Sequence, residues 1–183
     1  MKMNRSPSPM RFQLTSITLL ILAQAACHSP KRHSHMTAAP TTTAEADQAI
    51  AAVLDSFHDA AATADGERYF AHFADGAVFL GTDATERWSV GEFREFATPY
   101  FEGDSAWIYT PFERHIDIAP GGRVAWFDEK LTSASYGETR GSGALVCERG
   151  TWRISQYVLS FPVPNDVAKG IVELIQQDAE NRE

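Results

Sequence analysis

Apolar residues recur at helical spacing through the middle of the chain, then switch to strict alternation. Thr42-Thr43-Ala44-Glu45 is a capping-box pattern, in which hydroxyl and carboxylate each satisfy the other residue's backbone N–H, and it opens a helix. Ile50, Val53, Leu54 and Phe57 follow at helical spacing. This helix ends near Asp65-Gly66, and residues 67–73 read as a short second helix with Tyr69, Phe70 and Phe73 on its apolar side. Asp75-Gly76 is a turn, and Ala77-Val78-Phe79-Leu80 a short strand. A polar loop, 81–88, ends in Trp88. Ser89-Val90-Gly91-Glu92 is a second capping box, opening a helix to about Phe101 that carries Phe93, Phe96 and Tyr100.

After Gly103 the period becomes two, with strands expected at 106–118, 123–134, 139–147 and 151–161. The short turns between them imply an antiparallel meander. A two-residue turn at Arg149-Gly150 pairs Cys147 with Trp152. Asn165 is expected to cap a last helix carrying Val167, Ile171, Leu174 and Ile175 on one face. Helices followed by a meander, without βαβ alternation, define an α+β fold: three helices on a curved antiparallel sheet, plus a C-terminal helix. Helices on the concave side of such a sheet leave a conical pocket. The folded domain is expected at 44–165, with 166–183 as C-terminal helix and tail.

The N-terminal segment changes the picture. Lys2, Arg5 and Arg11 precede the uncharged run FQLTSITLLILAQAA, the order of a signal peptide, and the run is shorter than a membrane-spanning helix requires. Ala25-Ala26-Cys27 resembles the end of a lipobox, which makes Cys27 the expected lipidation site at the end of a leader spanning 1–27. Gln24 departs from that pattern, and Ala23-Gln24-Ala25 also fits ordinary cleavage. Residues 28–43 are polar and rich in Pro, Ser and Thr, so they read as a tether. The expected location is the cell envelope, lipid-anchored, with a soluble periplasmic or secreted protein as the alternative. Beyond the leader the chain holds 13 basic and 24 acidic residues, a net charge of -11. So acidic a surface disfavours nucleic acid and leaves the lipid anchor as the only membrane contact.

The segments Phe-Ala-Asp-Gly-Ala (73–77), Gly-Thr-Asp-Ala-Thr-Glu-Arg-Trp (81–88), Ala-Trp-Phe-Asp-Glu (125–129), Arg-Gly-Ser-Gly (140–143) and Trp-Arg-Ile-Ser-Gln-Tyr (152–157), closing with Phe-Pro-Val-Pro-Asn (161–165), resemble in order and spacing the SnoaL-like branch of the nuclear transport factor 2-like superfamily. The resemblance implies a cone-shaped fold and relatives that commonly pair. It leaves activity open, because this fold hosts isomerases, dehydratases, cyclases and oligomerisation modules. The superfamily's steroid isomerases use a tyrosine, an aspartate base and a second acid where this chain has Phe57, Gly81 and a position near Gly143. Two histidines of many SnoaL-like relatives fall on Gln156 and Val158. Neither catalytic set is therefore present.

The expected cavity is apolar and aromatic, lined by Trp88, Trp107, Tyr109, Trp126, Asp128 and Gln156. Gln156 is placed there by shared parity with Trp152 and Ile154. Trp126 is placed there because so large a ring favours burial, and Asp128 follows as a catalytic candidate. The opposite phase, with Phe127 and Glu129 inward, hands the acid role to Glu129. The inward carboxylate could instead be paired with Arg114 or Arg140. No HExxH, CxxC, P-loop or dinucleotide fingerprint is present, so neither metal nor cofactor is expected. The function expected is binding of a small apolar molecule. The alternatives are an envelope-anchored oligomerisation or accessory module, or a lyase or isomerase using a pocket carboxylate. A homodimer is expected through the exposed sheet face.

Overall fold

A computed structural model describes residues 42–182. The leader, Cys27 and the tether up to residue 41 lie outside the described residues. Thr42 caps α1 (Thr43–Ala62), and its reciprocal bonds with Glu45 complete the capping box. Asp65 caps α2 (Gly66–Ala71). β1 (Phe73–Leu80) and the short β2 (Arg87–Ser89) form a hairpin around the polar loop. The Ser89/Glu92 capping box starts α3 (Val90–Ala97), which gives way at Pro99 to a 3-10 turn over Thr98–Glu102. The meander follows as β3 (Thr110–Ile118), β4 (Val124–Ser133), β5 (Gly137–Glu148) and β6 (Thr151–Ser160). α4 (Asn165–Glu180) closes the chain.

The six strands form one sheet in the order β2-β1-β6-β5-β4-β3. The meander pairs antiparallel throughout, but β1 runs parallel to β6, so the sheet is mixed rather than antiparallel. Cys147 faces Trp152 across the β5–β6 turn as expected. Arg149 and Gly150 both have positive φ, 52° and 84°, as the tight turn with right-handed twist requires. Asn165 does not cap α4: Pro164 holds that place with no side-chain bond.

The core lies between α1–α3 and one face of the sheet. Leu54, Phe57, Tyr69 and Phe93 from the helices meet Phe79, Phe127, Leu145 and Ile154 from the strands. Two expectations about strand phase are corrected. On β4, Ala125, Phe127, Glu129 and Leu131 are buried, while Trp126 is 49% exposed and Asp128 is exposed. Trp126 keeps its polar edge satisfied on the outer face by donating Nε1–H to Asp117 at 3.1 Å. On β6, Trp152 and Ile154 point inward, but the register shifts between Ala144↔Gln156 and Leu145↔Ile154. Ser155 is the extra residue of that bulge, and it reverses the parity beyond it. Tyr157 is therefore buried and Gln156 exposed.

Candidate functional site

A cavity of about 530 Å³ opens between the helices and the concave face of the sheet. Its floor is made by buried side chains: Phe57 and His58 from α1, Tyr69 from α2, Phe79 from β1, Phe93 from α3 and Tyr157 from β6. Exposed aromatics, Phe96, Tyr100 and Tyr136, stand at its mouth with Thr82 and Glu86. Trp88 stacks against both Phe93 and Phe96, at 5.6 and 4.9 Å between ring centroids. Of the residues expected to line a pocket, Trp88, Trp107 and Tyr109 do so. Trp126, Asp128 and Gln156 do not, for the strand-phase reasons given above. Phe57 and Gly81 both border the cavity and bring no ionisable group to it.

The acid behind the floor is Glu129, which is fully buried and does not itself line the cavity. Its Oε1 lies 2.6 Å from His58 Nε2, and Tyr157 Oη donates to the same oxygen at 3.4 Å. Its Oε2 accepts from Arg114 Nε at 2.7 Å. Arg114 reaches on to Asp55 at 2.7 Å and to the Ala51 carbonyl at 3.2 Å. The pairing with Arg114, foreseen for whichever carboxylate turned inward, thus falls to Glu129. Burial pushes the Glu129 carboxyl up, but the His58 bond and the charges of His58 and Arg114 together hold it below the ordinary 4.5. Burial, reinforced by the Glu129 charge, drives the Tyr157 hydroxyl well above 10, so it stays a donor.

Local sequence explains each placement. His58 follows Leu54 by one helical turn and sits beside Phe57, within the stripe that α1 turns to the core. Gly141 lies opposite Glu129 on β5, and a Cβ there would come within 2.4 Å of Tyr157 Oη and 3.0 Å of Glu129 Oε1. Only a glycine leaves room for that pair. Arg114 follows Glu113, whose φ of 45° marks a bulge in β3 that restores pairing at Arg114↔Glu129. Glu86 and Asp83 brace their own loop: Glu86 accepts from the Asp83 N–H, and Asp83 from Thr85. His115 is exposed on the outer face opposite Asp128. Cys147 is half-buried against the core with its thiol free. Among the described residues, no group of three or more His, Cys, Asp or Glu side chains could hold a metal ion. His58 was missed by sequence reasoning. Its helical phase with Leu54 and Phe57 was the available signal, masked because a histidine does not register as part of an apolar stripe.

A cone of helices on a curled sheet, with a cavity between them, is the architecture of the nuclear transport factor 2-like superfamily. The SnoaL-like domain family matches residues 50–164, more than half of the sequence, and the chain belongs to that family. No curated protein matches it significantly. Among solved structures it is similar to a nuclear transport factor 2-like protein of unknown function from Pseudomonas putida KT2440, with 13% identity, a TM-score of 0.57, and coverage of 68% of this chain and 92% of that one. It is also similar to a candidate dehydratase of that family from Streptomyces avermitilis, with 12% identity, a TM-score of 0.56, and coverage of 67% and 100%. The association domain of CaMKII from C. elegans is similar too, with 18% identity, a TM-score of 0.52, and coverage of 64% and 97%. At these identities the likeness establishes the fold.

Proposed function

We propose that this SnoaL-like domain binds a small, apolar, ring-containing molecule in its conical cavity. The supporting observation is the cavity itself. Its volume of about 530 Å³ falls within the range of small-molecule sites, and its walls are largely aromatic. N-phenyl-1-naphthylamine, an uncharged dye that brightens in apolar surroundings, tests the reading. It should bind saturably to one site per chain, and Trp88→Ala should weaken it by about tenfold, the loss of one good aromatic contact. A signal that rises linearly without saturating would refute it.

The N-terminal pattern supports export and a lipid anchor at Cys27, which would hold the domain at the cell envelope. Labelled palmitate should enter the wild-type protein and not Cys27→Ser; equal labelling of both would exclude the anchor. Among the described residues no helix is long and apolar enough to cross a membrane. A homodimer through the outer sheet face is supported by Phe112, Val124 and Trp126, which lie exposed there. The similar CaMKII domain is named as an association domain. Light scattering should give twice the chain mass, and Trp126→Asp should return the monomer; a wild type monomeric at high micromolar concentration counts against pairing.

A further inference from the structure

We infer that His58 is a general base, and that the molecule taken up by the cavity is a carbon or oxygen acid whose proton passes to His58 Nδ1. The inference rests on the binding reading above and adds a reaction to it. Glu129 is ionised and buried, so its Oε1 can only accept, and the ring nitrogen 2.6 Å away must carry the shared proton. In the neutral ring the lone pair then belongs to Nδ1. That nitrogen has no hydrogen-bond partner among the described residues. It is also not one of the sealed, unpartnered side-chain atoms, which are Arg114 Nη2 and Thr139 Oγ1. Its residue lines the cavity. On this proposal the free basic nitrogen is the atom that meets bound ligand.

A carboxylate behind a histidine fixes the tautomer and stabilises the imidazolium formed on proton uptake. Glu129 does this as a positioning residue, itself held by Arg114, which Asp55 holds in turn. The titratable groups facing His58 are Glu129 from β4 and Tyr157 from β6, with Tyr69 lining the same cavity from α2. Burial raises the hydroxyls of both tyrosines, so they stay neutral, and Glu86 lines only the mouth, where its carboxylate accepts from the Asp83 N–H, which leaves His58 as the acceptor at the floor. The walls around it are largely aromatic, and a base held in place speeds proton transfer from a weak acid.

The probe is 5-nitrobenzisoxazole, a flat apolar carbon acid that needs no co-reactant. His58 Nδ1 takes its ring C–H proton, the electron pair left behind becomes the third bond of a nitrile, and the N–O bond breaks to release a coloured phenolate. Wild-type protein should turn it over faster than free imidazole at equal concentration, with a rate that rises with pH and levels off. His58→Gln should fall by about a hundredfold, the usual contribution of a positioned base. The same variant should still bind N-phenyl-1-naphthylamine and release it to the benzisoxazole. Glu129→Gln should bind the dye as the wild type does and lower kcat rather than raise KM, because the ring is no longer held in the tautomer that frees Nδ1. Dye binding with no turnover above imidazole, or with equal turnover in His58→Gln, overturns the base and leaves the binding reading standing. Failure of the wild type to bind the dye overturns both.

Discussion

Arg114→Met is expected to lower the unfolding free energy at neutral pH by about 3–5 kcal/mol, the usual cost of stripping one partner from a buried ion pair. Glu129 has no exposed surface, and Arg114 keeps only 14% of its side chain exposed. Removing the guanidinium leaves a carboxylate facing His58 and Tyr157 alone in the core. Replacing both residues with methionine should recover much of the loss, because an apolar pair of similar volume needs no charge compensation. The Glu129 carboxyl sits below 4.5 in the folded wild type. Its contribution is thus fully present above the unfolded-state value and is lost as pH falls through the folded one. In the variant the Arg114 contributions are lost, so the same carboxyl titrates higher than in the wild type and its charge stabilises the fold less. Once Glu129 is protonated in both proteins, neither effect remains. The gap between wild type and Arg114→Met should therefore narrow as pH drops below about 4.5. Urea denaturation at several pH values measures it; a gap under about 1 kcal/mol at pH 7, or one that widens in acid, would contradict the network's role.

Local chemistry made much of this fold legible in the sequence. The two capping boxes and the Arg149-Gly150 turn are written in two to four consecutive residues, and each is satisfied by those residues alone. The parallel pairing of β1 with β6 joins segments some eighty positions apart, and no turn signal announces it. On β4 the sequence carried the answer, but ring size was given too much weight. One phase holds Ala125, Phe127, Glu129 and Leu131; the other holds Trp126, Asp128, Lys130 and Thr132. The second set, which Val124 begins, is polar from Asp128 onward, which makes it the natural outer face. A single buried carboxylate with an arginine one strand away was the less costly arrangement. The site was harder to read than the fold, because His58, Glu129, Arg114 and Tyr157 come from four elements and converge only through β4 phase and the bulge at Ser155.

That bulge leads to the other large effect expected: Gly143→Ala should destabilise the domain by about 3 kcal/mol, the upper end for overpacking a rigid site. A Cβ on Gly143 would stand 2.0 Å from the Gln156 carbonyl oxygen and 3.1 Å from the Phe127 ring. Phe127 could give by a few tenths of an ångström, whereas the carbonyl belongs to the backbone of β6. Gly143 pairs with Tyr157, two positions past Ser155, where the extra residue pushes the neighbouring strand toward β5. Relief requires moving the segment that carries Tyr157 and, through it, the floor around Glu129. Gly170 supplies the control. It lies within exposed α4, and an alanine Cβ there would meet nothing within 4 Å, so Gly170→Ala should stabilise by up to about 1 kcal/mol through helix propensity. Thermal unfolding of the two variants should shift in opposite directions. If Gly143→Ala unfolds with the wild type, β6 can slip relative to β5 without cost, and the bulge does not fix the parity that carries Tyr157 into the core.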